Sequence, residues 1–486
     1  MKLRLLLFLW ICTIFSCKTD VKTEQTEQVE TSTQSVLSPD GTLSLPTWAH
    51  NANIYEVNVR QYTDKGDFAT LGKHLPRLDK MGVDILWLMP IHPISMKNRK
   101  AKGDLNVEDI EDEEERKKYL GSPYSVADYK AVNPEFGTMQ DFKDLVDLAH
   151  TLGMKVIIDW VPNHTGWDNP WITEHPEWYT QDADGNIIDP IDYNTGKSWG
   201  WTDVADLNYE NQEMRKEMIS SMQFWLDEAD IDGFRVDVAH GIPQDFWDQV
   251  TPALVSSKND IFLLAESEVP SHRNNNTYHA DYGWSFHHLI NDISKGEKQA
   301  KDIDEWMTKN RATYQKGIHI HFTSNHDENT WAGTAIDRMG DAHKTMAAFT
   351  ATFDGMPLIY GGQEEPLRHR LEFFEKDTIG FKDYAYSDFY AKLLKLKHDN
   401  QALWNGEHGG ELVKLLEHDD IYAFKREKDG DKVIGVFNLS DKIQEFVANE
   451  GLIVNEKEVI SGDQISWNMD QKIEMQPWGY YLFSGE

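Results

Sequence analysis

Short apolar runs alternate with longer amphipathic segments along most of this chain. Seven runs rich in β-branched and aromatic residues have the length and composition of strands, and turns and segments of helical spacing follow them. They cover residues 53–59, 85–89, 155–159, 233–238, 261–266, 319–323 and 358–360. A weaker run at 284–286 supplies the eighth strand. This alternation predicts an α/β protein built on a parallel (β/α)8 TIM barrel.

The connections and the C-terminal part indicate further domains. Between the third strand and an amphipathic segment at 211–228, residues 164–208 are rich in Trp, Asp, Gly and Pro, and a connection of this length is usually functional. We therefore expect a loop domain at 164–208, inserted into a barrel that spans 46–408. From residue 409 onward short strands and tight turns predict a C-terminal antiparallel β-sandwich over 409–486.

The N-terminal segment is typical of an exported lipoprotein. Lys2 and Arg4 precede a short apolar stretch that ends just before Cys17. We expect residues 1–16 to be a signal peptide, Cys17 to carry lipid, and the Thr, Glu, Gln and Ser-rich residues 17–45 to form a disordered tether. This predicts a protein attached to a bacterial membrane by its lipid alone, on the periplasmic or the cell-surface face. An ordinary signal peptide cut elsewhere and an N-terminal membrane helix are the alternatives.

Cysteine content and charge exclude several classes of function. The only two cysteines, Cys12 and Cys17, lie in the N-terminal segment, so the folded body has neither disulfides nor a cysteine-ligated metal site. The formal net charge of −34, with no basic stripe, would repel a polyanion. We therefore expect no nucleic-acid partner, and a neutral or cationic substrate.

Acidic residues stand at the ends of predicted strands in four motifs, which cover residues 159–164, 233–237, 264–266 and 324–327. In a parallel barrel these strand ends converge on one face, so Asp237, Glu266 and Asp327 can share a cleft although they are far apart in sequence. Enzymes that cleave sugars bring carboxylates together in this way.

Two of these acids have sequence surroundings that suit opposite roles. Arg235 and Asp237 are two apart on one strand and face the same side, so the guanidinium should lower the pKa of Asp237 and keep this nucleophile ionised. Glu266 ends an apolar strand, and burial there should raise its pKa, as a general acid requires.

At these motifs the chain resembles the α-amylase family of retaining glycoside hydrolases, family 13, over essentially all of its mature length. The resemblance implies that Asp237 is the nucleophile, that Glu266 is the acid and base, and that Asp327 stabilises the transition state. It also implies substrate contacts at Tyr124, His164, Arg235 and His326, with Tyr124 stacking on the sugar.

Members of this family commonly hold a structural calcium between the barrel and the long loop after the third strand. The resemblance implies that Asn163, Asp206 and the backbone carbonyl of Gly241 are its ligands, and oxygen ligands suit this hard cation. The family often has histidine where this chain has Gly241, with His240 just before it. A metal-free loop held by hydrogen bonds is the alternative.

Two other acidic stretches and several tryptophans require an interpretation. We expect a hairpin turn at 182–186, because Asp-Gly and Gly-Asn favour positive φ, and a solvated loop beside the cleft at 104–109, which lacks the glycine of an EF-hand. Tryptophan rings match the faces of glucose units, and we expect only one or two of a larger set to contact sugar. The set is Trp167, Trp171, Trp178, Trp199, Trp201 and Trp331.

Taken with these features, the resemblance implies a monomeric enzyme that cleaves the α-1,4-glucosidic bonds of starch-like glucans or maltooligosaccharides by double displacement. Glucosyl transfer, or an activity like that of neopullulanases and cyclomaltodextrinases, is the alternative, because water and sugar hydroxyls compete for one glycosyl ester. A non-catalytic glucan-binding protein would lack one of the acids. A metal-dependent amidohydrolase would need the His319 and His321 pair on the first strand, where this chain has Asn58 and Arg60.

Overall fold

The computed structural model describes residues 35–192 and 195–485. Within them, eight parallel strands close into a barrel in sequence order, each strand pairing with the next and the eighth with the first. The strands are β1 Ile54–Val57, β2 Ile85–Leu88, β3 Lys155–Trp160, β4 Gly233–Val236, β5 Phe262–Ala265, β6 Ala280–Tyr282, β7 Ile318–Phe322 and β8 Met356–Tyr360. The predicted (β/α)8 barrel is confirmed.

The sixth strand is the one that the sequence places wrongly. It covers Ala280–Tyr282, whereas the predicted position at 284–286 begins the helix Trp284–Ser294. Phe286, Ile290 and Ile293 are all buried, and their spacing is that of one helical face. A strand of only three residues gives too short a signal to be separated from the apolar helix that follows it.

Helices surround the barrel between the strands. The longest, Gln212–Ala229, follows β3 and begins after Asn211, whose side chain accepts hydrogen bonds from two backbone N–H groups of the first turn. The main helices are Phe68–Gly72, Leu75–Met81, Met139–Thr151, Gln212–Ala229, Gln244–Ser257, Pro270–Asn274, Trp284–Ser294, Asp302–Thr313, Ala335–Met339, His343–Thr352 and Ser387–Asp399.

Side chains alternate between the inside of the barrel and the helices, as a strand requires. Ile54, Trp87 and Leu264 belong to a closed inner cluster, whereas their neighbours in sequence pack outward. Gly233 starts β4 with φ +150, and a Cβ there would lie 1.8 Å from the carbonyl oxygen of Phe262. Only glycine therefore permits this close approach of β4 to β5.

The connection after β3 is a small irregular unit. Strand His164–Gly166 pairs antiparallel with Val204–Asp206 and closes its base. The predicted hairpin turn at 182–186 is confirmed, since Asp182 accepts the N–H of Gly185 and Gln181 bridges Ile187.

Residues 409–485 form antiparallel strands beside the barrel. A four-stranded sheet contains Val413–Lys414, Ile421–Lys428, Asp431–Asn438 and Tyr480–Gly485, and two ribbons pair Gln444–Val447 with Lys472–Met475 and Val454–Lys457 with Gln464–Trp467. Tyr422 and Phe437 face the barrel helices, while Ala423 and Val436 pack with Trp467 of the ribbons. The two-sided apolar pattern of the central strands explains why both faces are covered.

The expected tether is structured at its C-terminal end. Val36 is buried, and its N–H donates to the carbonyl of Asn259 at 2.7 Å, while Leu37 and Leu43 form a bridge. The expectation of disorder to residue 45 is therefore wrong from Ser35 onward, because Val36 and its neighbours supply apolar anchors. The signal peptide and Cys17 lie outside the described residues. Among the helices that are described, none combines the length and apolarity needed to cross a membrane.

Candidate active site

The site is assembled from inward-facing residues at the carboxyl ends of the strands. Strand register aligns Glu56 of β1 with Trp87 of β2, and Asp159 of β3 with Arg235 of β4. Each of these four side chains is buried inside the barrel. Asp237 follows Arg235 by two residues and so faces the same way, as the sequence predicts.

Arg235 is the centre of this layer. Its Nη1 lies 2.9 Å from Oδ1 of Asp237 and 2.8 Å from Oδ1 of Asp159, and its Nη2 lies 3.0 Å from Oε1 of Glu266. Its Nε donates to the hydroxyl of Tyr282 at 3.2 Å. The guanidinium is fully buried beneath the carboxylates. We expected Arg235 to contact substrate, but the structure places it under the acids that would do so.

Because one guanidinium contacts both Asp237 and Glu266, the two carboxylates are neighbours. Burial raises the pKa of Asp237 well above its ordinary value, and repulsion from Glu266 adds to this rise, which the attraction of Arg235 does not offset. Burial alone would also raise the pKa of Glu266, but Arg235 and the N–H of Val238, which donates to Oε2 at 2.8 Å, lower it.

We expected Arg235 to lower the pKa of Asp237 and burial to raise that of Glu266, whereas in the ligand-free site the pKa of Asp237 is raised and that of Glu266 is lowered. The sequence shows that Arg235 is next to Asp237 but not that it also contacts Glu266. Because the two carboxyl groups interact, they titrate as a coupled pair, and the charge of each depends on that of the other.

A hydrogen-bonded chain borders the acids on the β1 and β7 side. The Tyr124 hydroxyl lies 2.8 Å from Nε2 of His326 and donates to Oδ2 of Asp159 at 3.1 Å, while Nδ1 of His326 lies 2.6 Å from Oε1 of Glu56. His326 Nε2 lies 3.4 Å from Oδ2 of Asp327. Tyr124 and His326 are thus held in fixed orientations at the wall of the site.

His164, the other histidine that we expected to contact substrate, is buried and uncharged. Burial lowers the pKa of His164 to about 4, so this ring is neutral near pH 7. Its Nδ1 lies 3.3 Å from the side-chain nitrogen of Asn163. His164 can therefore offer one neutral N–H to a ligand in the cleft.

The carboxylates open into a cavity of about 600 Å³. Six of the predicted residues line it, namely Tyr124, His164, Asp237, Glu266, His326 and Asp327. The inserted unit supplies Trp201, Asp203 and Val204 to its wall, and the loop after β2 supplies Lys100 and Gly103. Lys100 and Gly103 stand just before the loop at 104–109 that we expected beside the cleft, and the described residues that line the cavity include none from 104–109 itself. A cavity of this size with convergent polar groups is typical of a small-ligand site.

Of the six candidate tryptophans, Trp201 and Trp331 line this cavity. Trp171 and Trp178 instead pack against each other at 5.0 Å within the inserted unit, and Trp167 donates to the carbonyl of Thr202 at 2.9 Å. Trp199 packs against Trp201 at 4.7 Å. The expectation that one or two of these rings face the ligand agrees with this geometry.

The three predicted calcium ligands come from adjacent segments. The backbone carbonyl of Asn163 accepts the N–H of Leu207, next to Asp206, and a Cβ on Gly241 would lie 2.9 Å from Oδ1 of Asn163. Asn163 and Asp206 are buried. No three His, Cys, Asp or Glu side chains in the described part of the chain could hold a metal. A cation would therefore depend on the amide and backbone oxygens besides Asp206, which is a donor set that fits calcium.

The His319 and His321 pair faces away from the cleft. Nδ1 of His319 lies 2.7 Å from Oδ1 of Asp281, which also contacts Arg273 at 3.0 Å, and His321 packs on Phe286 behind the barrel wall. These side chains contact one another beneath the surrounding helices, away from the cavity. They cannot form the metal centre of an amidohydrolase.

Sequence reasoning assigned no role to several residues that shape the site. Glu56 and Trp87 lie in the middle of strands whose other residues are apolar, and Trp87 donates to Oδ2 of Asp159 at 3.3 Å. For Glu56 a signal was present in the sequence: a carboxylate inside an apolar strand, between Tyr55 and Val57, is costly to bury without a functional or structural reason.

Comparisons with known proteins agree with this geometry. The family model described as alpha amylase, catalytic domain, matches residues 30–400. Alpha-amylase 3 of Dictyoglomus thermophilum is 26% identical over 482 residues, which cover 85% of this chain and 89% of that protein. A cyclomaltodextrinase of Thermoanaerobacter pseudethanolicus is 26% identical over 459 residues, covering 83% of this chain and 73% of that protein. The crystal structure of an alpha-amylase from Lactobacillus plantarum matches with a TM-score of 0.76 and 26% identity, over 90% of this chain and all of that one.

Proposed function

Because the chain belongs to the α-amylase family of glycoside hydrolases, we propose that it cleaves the α-1,4 bonds of starch-like glucans or maltooligosaccharides and retains the anomeric configuration. The observation that carries this proposal is the contact of one guanidinium, that of Arg235, with both Asp237 and Glu266. This shared contact brings the two carboxyl groups together around one cation, and retaining enzymes use closely spaced carboxyl groups, whereas inverting enzymes need room for a water molecule between them.

Two displacements follow from this geometry. The Asp237 carboxylate attacks the anomeric carbon while Glu266 gives its proton to the glycosidic oxygen, which leaves as an alcohol. Glu266 then takes a proton from water, whose oxygen attacks the same carbon, breaks the ester and restores the Asp237 carboxylate. Asp327 and His326 border this centre. The Asp327 carboxylate stabilises the developing positive charge of the sugar, and the ring of His326 contacts its hydroxyls.

A bound substrate favours the protonated form of Glu266 over that of Asp237. A glycosidic oxygen can accept a hydrogen bond from Glu266 only when Glu266 is protonated, so a bound glucan favours the proton there rather than on Asp237. The nucleophile then becomes ionised when the bond to be cleaved is in place.

The test is a time course of the products formed from maltoheptaose, measured by mass spectrometry for the wild type and for Glu266→Gln. Shorter maltooligosaccharides from the wild type alone are the expected result. Products longer than the substrate would favour the transferase alternative, which uses the same glycosyl ester. Absence of all products, with pullulan and cyclodextrins also untouched, would contradict the proposal.

We further propose that calcium binds to Asn163, Asp206 and the carbonyl of Gly241. These oxygens come from the base of the inserted unit and from the segment after Asp237, so a cation there would fix Trp201 and the cleft wall relative to β4. Its contribution is to stability and to the shape of the cleft.

We also propose an exported monomer anchored by lipid on Cys17. The motif of Cys17 supports the lipid, and the acidic surface favours a protein that works in solvent beside the membrane. Metabolic labelling with a fatty-acid analogue should mark the wild type and not Cys17→Ser. A labelled Cys17→Ser protein would contradict the anchor, and light scattering of the mature chain at dimer mass would contradict the monomer.

A further inference from the structure

A continuous row of aromatic rings leads from the acids to the rim of the cavity. Tyr124 stacks on His326 with ring centres 5.5 Å apart, and Phe373 lies parallel to Tyr124 at 6.2 Å with an angle of 2°. Trp331 follows at 5.3 Å from Phe373, and Phe374 lies 6.4 Å from Trp331. Tyr124, Phe373, Phe374 and Trp331 all line the same cavity as Asp237.

Trp331, at the outer end of this row, is open to solvent. Trp331 is 56% exposed, whereas Tyr124 at the inner end is 9% exposed. Leaving much of an indole in water forgoes the free energy that its burial would release. A ligand that covers Trp331 can recover part of this free energy.

The backbone that carries Trp331 is held in place although its side chain is exposed. The π-helical turn Glu328–Ala332 is fastened to the loop after β8 by Arg370, whose Nε donates to the carbonyl of Thr330 at 2.9 Å and whose Nη2 donates to that of Trp331. The N–H of Leu371 donates to Oδ1 of Asn329 at 2.9 Å. The ring is therefore presented in a defined position, with little loss of freedom on binding.

We infer that Trp331 and Phe373 form an outer sugar-binding subsite that makes activity depend on glucan length. This inference rests on the proposed function, because it assumes that the sugar at the acids is one unit of an α-glucan. A short substrate fills the inner site beside Tyr124 and leaves Trp331 uncovered. A longer one places a further glucose face on the indole, and stacking on such a ring is worth about 0.5–1.5 kcal/mol, or roughly 2- to 13-fold in affinity.

The experiment compares kcat/KM for the series from maltotriose to maltoheptaose in the wild type, Trp331→Ala and Trp331→Tyr. We expect Trp331→Ala to lose about 3- to 10-fold on the long substrates and less than about 2-fold on the shortest. Trp331→Tyr should recover most of the loss. Ile443→Ala is the matched control, because Ile443 is 54% exposed on the C-terminal domain, and it should behave as the wild type.

A loss of equal size for every length, or no loss, would overturn the inference. Since Trp331 is exposed, the variant should melt at the wild-type temperature, and Phe373→Leu gives a second test if it does not. Calorimetric binding of maltoheptaose to Glu266→Gln, with and without Trp331→Ala, separates this inference from the proposed function. Weaker binding by the double variant supports the subsite even if no cleavage is found, whereas equal binding refutes it.

Discussion

The imidazole Nδ1 of His326 lies 2.6 Å from Oε1 of Glu56, and both side chains are buried. Burial alone would lower the pKa of His326, but the carboxylates of Asp327 and Glu56 raise it to about 9. His326 is therefore an imidazolium at neutral pH, with one N–H directed to Glu56 and the other toward Tyr124. A glutamate inside β1 thus contributes, together with Asp327, to the positive charge of a residue at the end of β7.

Replacing Glu56 should move the alkaline limit of activity. In Glu56→Gln the pKa of His326 falls, so the charged form is lost at a lower pH, and the alkaline limb of kcat/KM against pH should shift to lower pH. In the wild type that limb should follow deprotonation near pH 9. His326→Gln should lack the limb. An alkaline limb that is the same in Glu56→Gln and the wild type would contradict this role.

The roles proposed for Asp237 and Glu266 should be distinguishable by the leaving group of the substrate. Glu266→Gln removes the proton donor, so we expect a loss of about 10²–10⁴-fold on maltooligosaccharides and a much smaller loss on an aryl maltotrioside whose phenol leaves without a proton. Asp237→Asn removes the nucleophile and should be inactive on both. The measurement is kcat/KM on the two substrates, because kcat/KM reports formation of the glycosyl ester, whereas kcat also includes its hydrolysis, for which Glu266 is the base with either substrate.

Glu268→Gln is the control for that measurement. Glu268 lies two residues after Glu266 but binds Ser285, with Oε1 accepting its hydroxyl at 2.5 Å, and should retain activity. If Glu266→Gln lost the same factor on both substrates, the assignment of Glu266 as the acid would be wrong.

The barrel and the acids were predictable because each strand is a separate local signal and strand ends converge by topology. Asp237, Glu266 and Asp327 line one cavity as expected. The pKa shifts of Asp237 and Glu266 were not predictable in the same way. Arg235 stands two residues before Asp237, so their contact is a local signal. The contact of Arg235 with Glu266 depends on the register of β4 and β5 and on a side-chain orientation that no local pattern encodes.

A buried ion cluster at the opposite end of β4 should govern acid stability. Asp232 is fully buried and accepts hydrogen bonds from His150 at 2.7 Å and from Lys155 and Lys258 at 3.0 Å each. Burial would raise the pKa of Asp232, but these three partners hold it well below its ordinary value. The folded-state pKa is depressed, so its stabilisation is present above about pH 4 and is lost as the pH falls further.

Asp232→Asn should therefore lower the free energy of unfolding by about 3 kcal/mol at pH 7, with a difference that shrinks below about pH 4. Thermal melting across this range measures it. Asp230→Asn is the matched control, because Asp230 also contacts Lys258 at 2.9 Å but is 72% exposed. Equal effects of the two substitutions would show that burial of Asp232 is not the cause.

Calcium removal should lower the melting temperature. If the cation binds only the folded chain, chelation with EDTA should cost about 5 °C, and added calcium should restore it. Asp206→Asn should melt at the lower temperature with or without EDTA. Asp182→Asn, on the exposed hairpin turn, should respond to EDTA as the wild type does. A wild-type melting temperature that EDTA leaves unchanged would contradict the calcium proposal.

Arg235 and the three acids that it contacts lie at the ends of barrel strands. Trp331 and Phe373, in contrast, lie on the connections that follow β7 and β8. The groups that break the bond and the groups that measure the glucan therefore belong to separate parts of the molecule. Exchange of two surface segments could redirect such an enzyme to a new polymer without disturbing its chemistry. These two segments are therefore positions at which natural variation or protein engineering can change substrate preference while the catalytic groups stay in place.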